Sequence, residues 1–185
     1  MKDIVCNEID KLLQTKEKII IAIEGRSAAG KSSLASLLKD KYDCNLFHMD
    51  DFFLPAKEKT EERLKQPGGN VDYIRFKEDV MDKLMEDQPF TYEIFDCKVQ
   101  ALTEKRTVIP KKLNIIEGAY SMHPILIENY DLKIFLDIDD DSQKERILLR
   151  NGKDMYKKFV NQWIPLEDEY IRKLGIKGKA DIVIK

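Results

Sequence analysis

The sequence predicts an α/β fold with a doubly wound parallel sheet, and three features of its 185 residues point there. Short, β-branched apolar runs alternate with amphipathic or charged helical stretches from residue 18 to the end, the pattern of strands joined by helical crossovers. The first run, Lys18 to Glu24 (KIIIAIE), is apolar almost throughout, as a central strand covered on both faces must be. Between this strand and the next helix stands GRSAAGKSS, glycine-rich and ending in Lys-Ser-Ser.

The elements follow in order. Ile4, Val5, Ile9, Leu12 and Leu13 fall on one helical face, so residues 3–16 are expected to form an amphipathic helix within an N-terminal segment 1–17. A helix follows the glycine-rich loop to Lys41. Asn45 to Met49 reads as a second strand ending in Asp50-Asp51-Phe52-Phe53. Residues 54–71 are polar, contain Pro55, Pro67, Gly68 and Gly69, and read as a long loop with a helical turn at Lys59 to Lys65. Asp72 precedes a helical stretch, Tyr73 to Met85. Residues 90–109 read as a β-excursion with a polar turn near Glu104-Lys105-Arg106. Leu113 to Ile116 and Leu132 to Ile138 are further core strands, the first ending at Glu117-Gly118. A charged helix, Asp141 to Arg150, is broken by Asn151-Gly152, giving a lid segment 140–154. A helix from Met155 to Lys173 and a strand from Ala180 to Ile184 complete one domain, 1–185.

Composition limits the function classes. At 43% hydrophobic and 36% charged residues the chain reads as globular, and a net charge of -2 offers no broad basic face for a nucleic-acid polymer. Cys6, Cys44 and Cys97 have neither disulfide nor zinc spacing. The N-terminal MKDIVCNEIDKLLQ carries charges through its apolar positions, unlike a signal peptide, and no apolar run approaches the ~20 residues of a membrane helix. The expectation is a cytoplasmic protein with a small-molecule partner, no membrane contact and no nucleic-acid polymer.

The segment from Gly25 through Arg26, Ser27, Ala28, Ala29, Gly30 and Lys31 to Ser32 matches G-x-x-x-x-G-K-[ST]. Glycines let successive backbone N–H groups turn toward phosphate oxygens, and the helix beginning near Lys31 adds its positive end. Lys31 can reach the β- and γ-phosphates, and the Ser32 hydroxyl can ligate Mg²⁺. ATP and Mg²⁺ are the expected cofactors, with Ser33 completing the loop. Neither N-K-x-D nor D-x-x-G occurs, which argues against a GTPase. A carboxylate at the end of the second strand, Asp50, stands where an acceptor could lie opposite the γ-phosphate.

GRSAAGKSS, HMDDFF, GGNVDYIRF, FDC at Phe95 to Cys97, IIEG at Ile115 to Gly118 and YDLKIFLDID with its Arg-bearing helix, in this order, resemble the uridine kinase and nicotinamide riboside kinase group of P-loop small-molecule kinases. The resemblance runs from Lys18 to Ile184. It implies a nucleoside or nucleotide kinase-like fold with a β-hairpin excursion and a helical lid, and transfer of the γ-phosphate to a nucleoside hydroxyl. It also implies roles: Asp50 as base, Lys31 on the phosphates, Glu117 with Ser32 at the metal, Arg146 and Arg150 from the lid. The acceptor set would be Asp50, Asp51, Phe53, Asp72, Tyr92 and Asp96. Two features depart from uridine kinases: Asp51 stands where a Ser is usual, and the lid carries fewer arginines.

Other roles suit several of these residues. Asp50 and Asp51 equally suit caps of a helix starting at Phe52, and Asp72 suits the cap of one starting at Tyr73. Arg146 and Arg150, four apart, also fit a solvated helix face. His48 reads as structural, Trp163 as packing, and Tyr92, Phe95 and Phe53 as either core or base-stacking aromatics. Two rival activities share the loop: a kinase of another alcohol such as pantothenate, and a nucleotide-binding regulator with no acceptor.

Overall fold

A computed structural model describes residues 2–185. Residue 1, part of the expected N-terminal segment, lies outside them. Five parallel strands form the central sheet: β1 (Ile19–Gly25), β2 (Cys44–His48), β5 (Leu113–Glu117), β6 (Leu132–Leu136) and β7 (Ile182–Ile184), in the order β2-β5-β1-β6-β7. The doubly wound parallel sheet is therefore present as the sequence predicts. Every residue of β1 is buried. Its odd-numbered Ile19, Ile21 and Ile23 enter one core and its even-numbered Ile20 and Ala22 the other, as a period of two requires of a strand covered twice.

Helices α1 (Lys2–Thr15) and α2 (Lys31–Lys41) bury Val5, Cys6, Ile9, Ala35 and Leu38 on the first face. Ile4, expected on that buried face, is 57% exposed, and Cys6 takes its place. The second face receives the helical stretch beginning with α4 (Tyr73–Phe76), which runs through a π-turn at Lys77–Met81 into α5 (Asp82–Glu86). The long loop before it contains α3 (Glu61–Leu64) and is pinned by Arg63, which donates to Gly69 O, Val71 O and Tyr73 Oη.

The hairpin β3 (Phe90–Asp96) and β4 (Ala101–Val108) is a separate antiparallel sheet. Its turn is at residues 97–100, not at Glu104-Lys105-Arg106, which lie inside β4 opposite Ile94, Glu93 and Tyr92. Only one face of the hairpin is packed, through Tyr92, Phe95 and Val108, so the outer face of β4 has a turn-like composition. The real turn is closed by Gln100, at φ 55°, and by the Lys98 N–H bond to Asp96 Oδ1.

The charged helix α6 (Asp140–Lys158) does break at Gly152, whose φ of 76° and ψ of 174° are not helical. The expected helix beyond it is interrupted as well. A π-turn at Phe159–Trp163 leads into α7 (Ile164–Leu174), with Pro165 in its first turn, where the missing N–H costs least. Among the described residues no helix is long and apolar enough to cross a membrane.

Candidate active site

The glycine-rich loop leaves the carboxyl end of β1, beside the ends of β5 and β2, where ligands bind in folds of this kind. Gly25 is required by close approach: a Cβ there would lie 2.2 Å from Leu136 O. Gly30, at φ 104°, turns the chain into α2. Ala28 is also left-handed, at φ 63°, a conformation that costs a non-glycine residue about 1–3 kcal/mol and gathers at ligand-binding loops. Lys31 Nζ donates to Gly25 O at 2.7 Å and Arg26 O at 3.0 Å, which lays the ammonium along the loop.

Ser27, Ala28, Gly30, Lys31, Ser32 and Ser33 line a cavity of about 620 Å³. Gly25 and Ala29 are buried behind it. The Arg26 side chain turns away, pairing with Asp140 at 2.7 Å and Asp168 at 2.9 Å, so it ties the loop to α6 and α7 instead of reaching into the cavity.

Three carboxylates, Asp50, Glu117 and Glu167, share that cavity with Lys31. Glu117, at the end of β5, receives the Ser32 hydroxyl at 3.2 and 3.3 Å and His48 Nδ1 at 2.6 Å. The hydrogen bond to Glu117 raises the His48 pKa. Asp50 presents its surface to the cavity while protein crowds its other sides. That crowding, and the charge of Glu117, push its carboxyl above the usual aspartate range. Ser32 and Glu117 are hard oxygen donors, and no group of three or more His, Cys, Asp or Glu among the described residues could enclose a metal. This donor set suits Mg²⁺, which takes one or two protein ligands and completes its shell with water and phosphate oxygens.

The remaining expected residues divide. Phe53 lines the cavity, as do Arg146 and Arg150. Arg146 also donates to Ala28 O at 3.2 Å, and Arg150 to Asn151 Oδ1. Asp51, Asp72, Tyr92 and Asp96 are not brought to the cavity wall. Asp51 accepts from Arg106 at 3.3 Å and the Tyr92 hydroxyl at 3.4 Å, which holds the hairpin against the strand end. Tyr92 is core, stacked on Phe52. Asp72 caps α4 by accepting from Arg75 N at 3.0 Å, and Asp96 caps the hairpin turn. Neither Asp50 nor Asp51 caps a helix, because the chain passes through a 3₁₀ turn, Met49–Phe52, with no side-chain cap.

Several wall residues carry no sequence signal of a role. Tyr120 and Phe159 reach the cavity through the fold alone, Asn70 and Cys97 come from the GGNVDYIRF and FDC segments without a role assigned to them there, and Trp163, expected in packing, lines it too, edge-on to Phe159. Glu167 of α7 also lies at the wall, with its carboxylate on Ser27.

Glu24 lies behind the loop, 1% exposed, in a strand otherwise built of apolar residues and glycine. Its carboxylate accepts from Gly25 N, Tyr120 N and Met122 N, and from the Tyr170 hydroxyl, binding β1, the β5 exit and α7 together. Burial pushes it from 4.5 to about 7, against the pull of the Met122 and Gly25 N–H groups. The folded state thus keeps a proton that the unfolded chain releases near pH 4.5, so stability falls as pH rises from there to about 7, by about 3 kcal/mol from this group. Asp50 and Glu167, also raised, add with the same sign. Urea unfolding at about pH 5 and about pH 7.5 should show this loss, and Glu24→Gln, with no proton to lose, should show a smaller one. An equal loss in both proteins would place the titration elsewhere.

Comparison with known proteins agrees with this geometry. Uridine kinase of Oceanobacillus iheyensis is 26% identical, covering 92% of this chain and 88% of its own. Uridine kinase of Bacillus mycoides is 29% identical, covering 92% and 86%. The chain is uridine-kinase-like over nine-tenths of its length. A possible uridine kinase from Bacillus stearothermophilus superimposes with a TM-score of 0.76 at 22% identity, over 100% of this chain and 97% of that one. D-glycerate 3-kinase from Cryptococcus neoformans does so at 0.63 and 14% identity, over 92% and 88%. These two structures establish the uridine-kinase-like P-loop fold. No family model matches the chain.

Proposed function

We propose that this protein is an ATP-dependent kinase that transfers the γ-phosphoryl group to the hydroxyl of a small metabolite, specifically the 5′-hydroxyl of a nucleoside. One observation carries the reading: Asp50 faces the same cavity as Lys31, Ser32 and Glu117, where an acceptor hydroxyl would meet its carboxylate opposite the phosphate-binding loop. The names of the curated relatives support the nucleoside as acceptor.

The loop amides and Lys31 hold the triphosphate. Ser32 and Glu117 would hold Mg²⁺, which would supply charge neutralisation for the phosphate groups. Asp50 orients the acceptor hydroxyl and takes its proton as the new O–P bond forms and the bond to the β–γ bridging oxygen breaks, releasing ADP. Arg146 and Arg150, on the helix that breaks at Gly152, close over the transferring group as its charge spreads. Phe53, Phe159 and Trp163 offer aromatic surface for a base, and Asn70 and Tyr120 offer polar contacts. ATP as donor and three free cysteines fit a cytoplasmic setting.

A coupled ADP-release screen across nucleosides, nicotinamide riboside, pantothenate and simple sugars tests the reading. Acceptor-dependent release with a nucleoside is expected. Turnover only with a non-nucleoside alcohol would replace the acceptor class, and acceptor-independent binding without turnover would leave a nucleotide-binding regulator.

A further inference from the structure

Glu167 has no part in the chemistry above, yet it is bonded to the phosphate-binding loop itself. Its Oε2 accepts the Ser27 backbone N–H at 2.7 Å and its Oε1 accepts the Ser27 hydroxyl at 2.5 Å, so one carboxylate takes two donors of the loop. The residue is 6% exposed and lies at the wall of the same cavity as Lys31 and Arg146. A carboxylate bound to loop donors in this way makes the kind of contact a phosphate oxygen makes there.

The contact is held by its surroundings. Asp168, next on α7, pairs with Arg26, and Tyr170, one turn on, donates to Glu24, so α7 is fixed at three points along the start of the loop. Gln143 of α6 donates to Ser27 O at 3.0 Å from the other side. The helix thus keeps Glu167 within reach of Ser27, and a polyphosphate in the loop brings negative charge directly beside it.

We propose that Glu167 is a further residue of the nucleotide site, one that competes with phosphate oxygens for Ser27 and takes up a proton when a nucleotide polyphosphate binds. The inference rests on the reading of the loop as the ATP site. A protonated carboxyl turns from competitor to donor, since its O–H can be given to a phosphate oxygen while its carbonyl oxygen still accepts from Ser27. The balance of neighbours favours this. Lys31, Arg146 and Arg150 are the cations that share its cavity wall, with Asp50 and Glu117 as its other acids. Asp168 on its own helix, Glu24 from β1 and Tyr120 after β5 add negative or polar groups. Burial already raises the Glu167 carboxyl above the ordinary glutamate range, against the pull of Lys31 and Ser27. A bound polyphosphate, negative and within the same cavity, raises it further.

Calorimetric titration of the full chain with Mg·ATP decides the matter, run at several pH values in buffers of different ionisation enthalpy, on wild type and Glu167→Gln. The amide keeps the shape and an acceptor for Ser27 but carries no charge. Wild type should take up close to one proton per nucleotide above neutral pH and bind more weakly as pH rises. Glu167→Gln should take up none, bind about 10-fold tighter than wild type near pH 8, and lose most of the pH dependence. The wild-type proton count needs no variant, so a poorly folded mutant does not shield the proposal: no uptake at any pH overturns it. Equal or weaker binding by folded Glu167→Gln, with an unchanged proton count, also overturns it and leaves the nucleotide site standing. No Mg·ATP binding by either protein overturns both.

Discussion

Asp50→Asn is expected to lower kcat by about 10²–10⁴-fold while leaving Mg·ATP affinity nearly unchanged. The substitution keeps the shape of the side chain and removes its charge and its ability to hold a proton. Asp50 lies in the 3₁₀ turn that follows β2, and it caps no helix, so the folded chain does not depend on it for backbone hydrogen bonding. Its carboxyl is raised by the protein crowded around it and by Glu117, and lowered by Lys31 and His48. Asparagine removes the repulsion with Glu117, which should leave the variant as stable as wild type or slightly more so. Activity lost at constant or increased stability separates a catalytic role from a structural one. Asp51→Asn serves as the control. Its neighbours are Arg106 and Tyr92 of the hairpin, so the effect should fall on hairpin anchoring, with a much smaller change in kcat. Steady-state kinetics together with urea unfolding of both variants would decide it. Equal losses of kcat, or a nearly active Asp50→Asn, would remove Asp50 from the role of base.

The two aspartates also show what the sequence could and could not convey. The doublet after β2 was legible as a feature of the site, because a charged pair at the carboxyl end of a strand in an α/β fold stands where ligands bind. Which of the two faces the cavity depends on the 3₁₀ turn, and no periodicity in the sequence distinguishes neighbouring residues in a turn of four. The loop was legible for the opposite reason. Its function depends on backbone geometry, which fixes residue types at fixed spacing: Gly25 has no room for a Cβ against Leu136, and Gly30 turns into α2 at φ 104°. Glu24 and Glu167 were not legible. The first is an acid ending an apolar strand, and its four donors come from Gly25, Tyr120, Met122 and Tyr170. The second meets Ser27 across 140 residues of chain. Neither contact leaves a local trace. Glu104-Lys105-Arg106 reads as a turn because β4 is exposed along most of its length, where solvent permits a polar composition.

Lys31→Ala should reduce kcat/KM by about 10²–10³-fold, the scale seen when one preorganised group facing developing charge is removed. The Lys31 ammonium is held along the loop by Gly25 O and Arg26 O, two carbonyls that point into the curve of the chain, and it lines the cavity together with Ser32 and Asp50. The same cation lowers the pKa of Asp50, Glu24 and Glu167, three acids that are otherwise raised by the protein crowded around them. Its removal therefore acts twice. The triphosphate loses a positive charge on its β- and γ-phosphates, and the acids behind and beside the loop lose the charge that helps keep them ionised. The second effect has its own signature: with Lys31 gone, the pKa of Asp50 rises further, and the acid limb of the pH–rate profile shifts to higher pH. Lys31→Arg should recover the pH profile more fully than the rate, since it restores the charge while its planar, longer head does not reproduce the ammonium's position. The side chain packs no core, so urea unfolding should show little change in stability. Calorimetry giving unchanged Mg·ATP affinity, together with full activity in Lys31→Ala, would remove the loop from the nucleotide site.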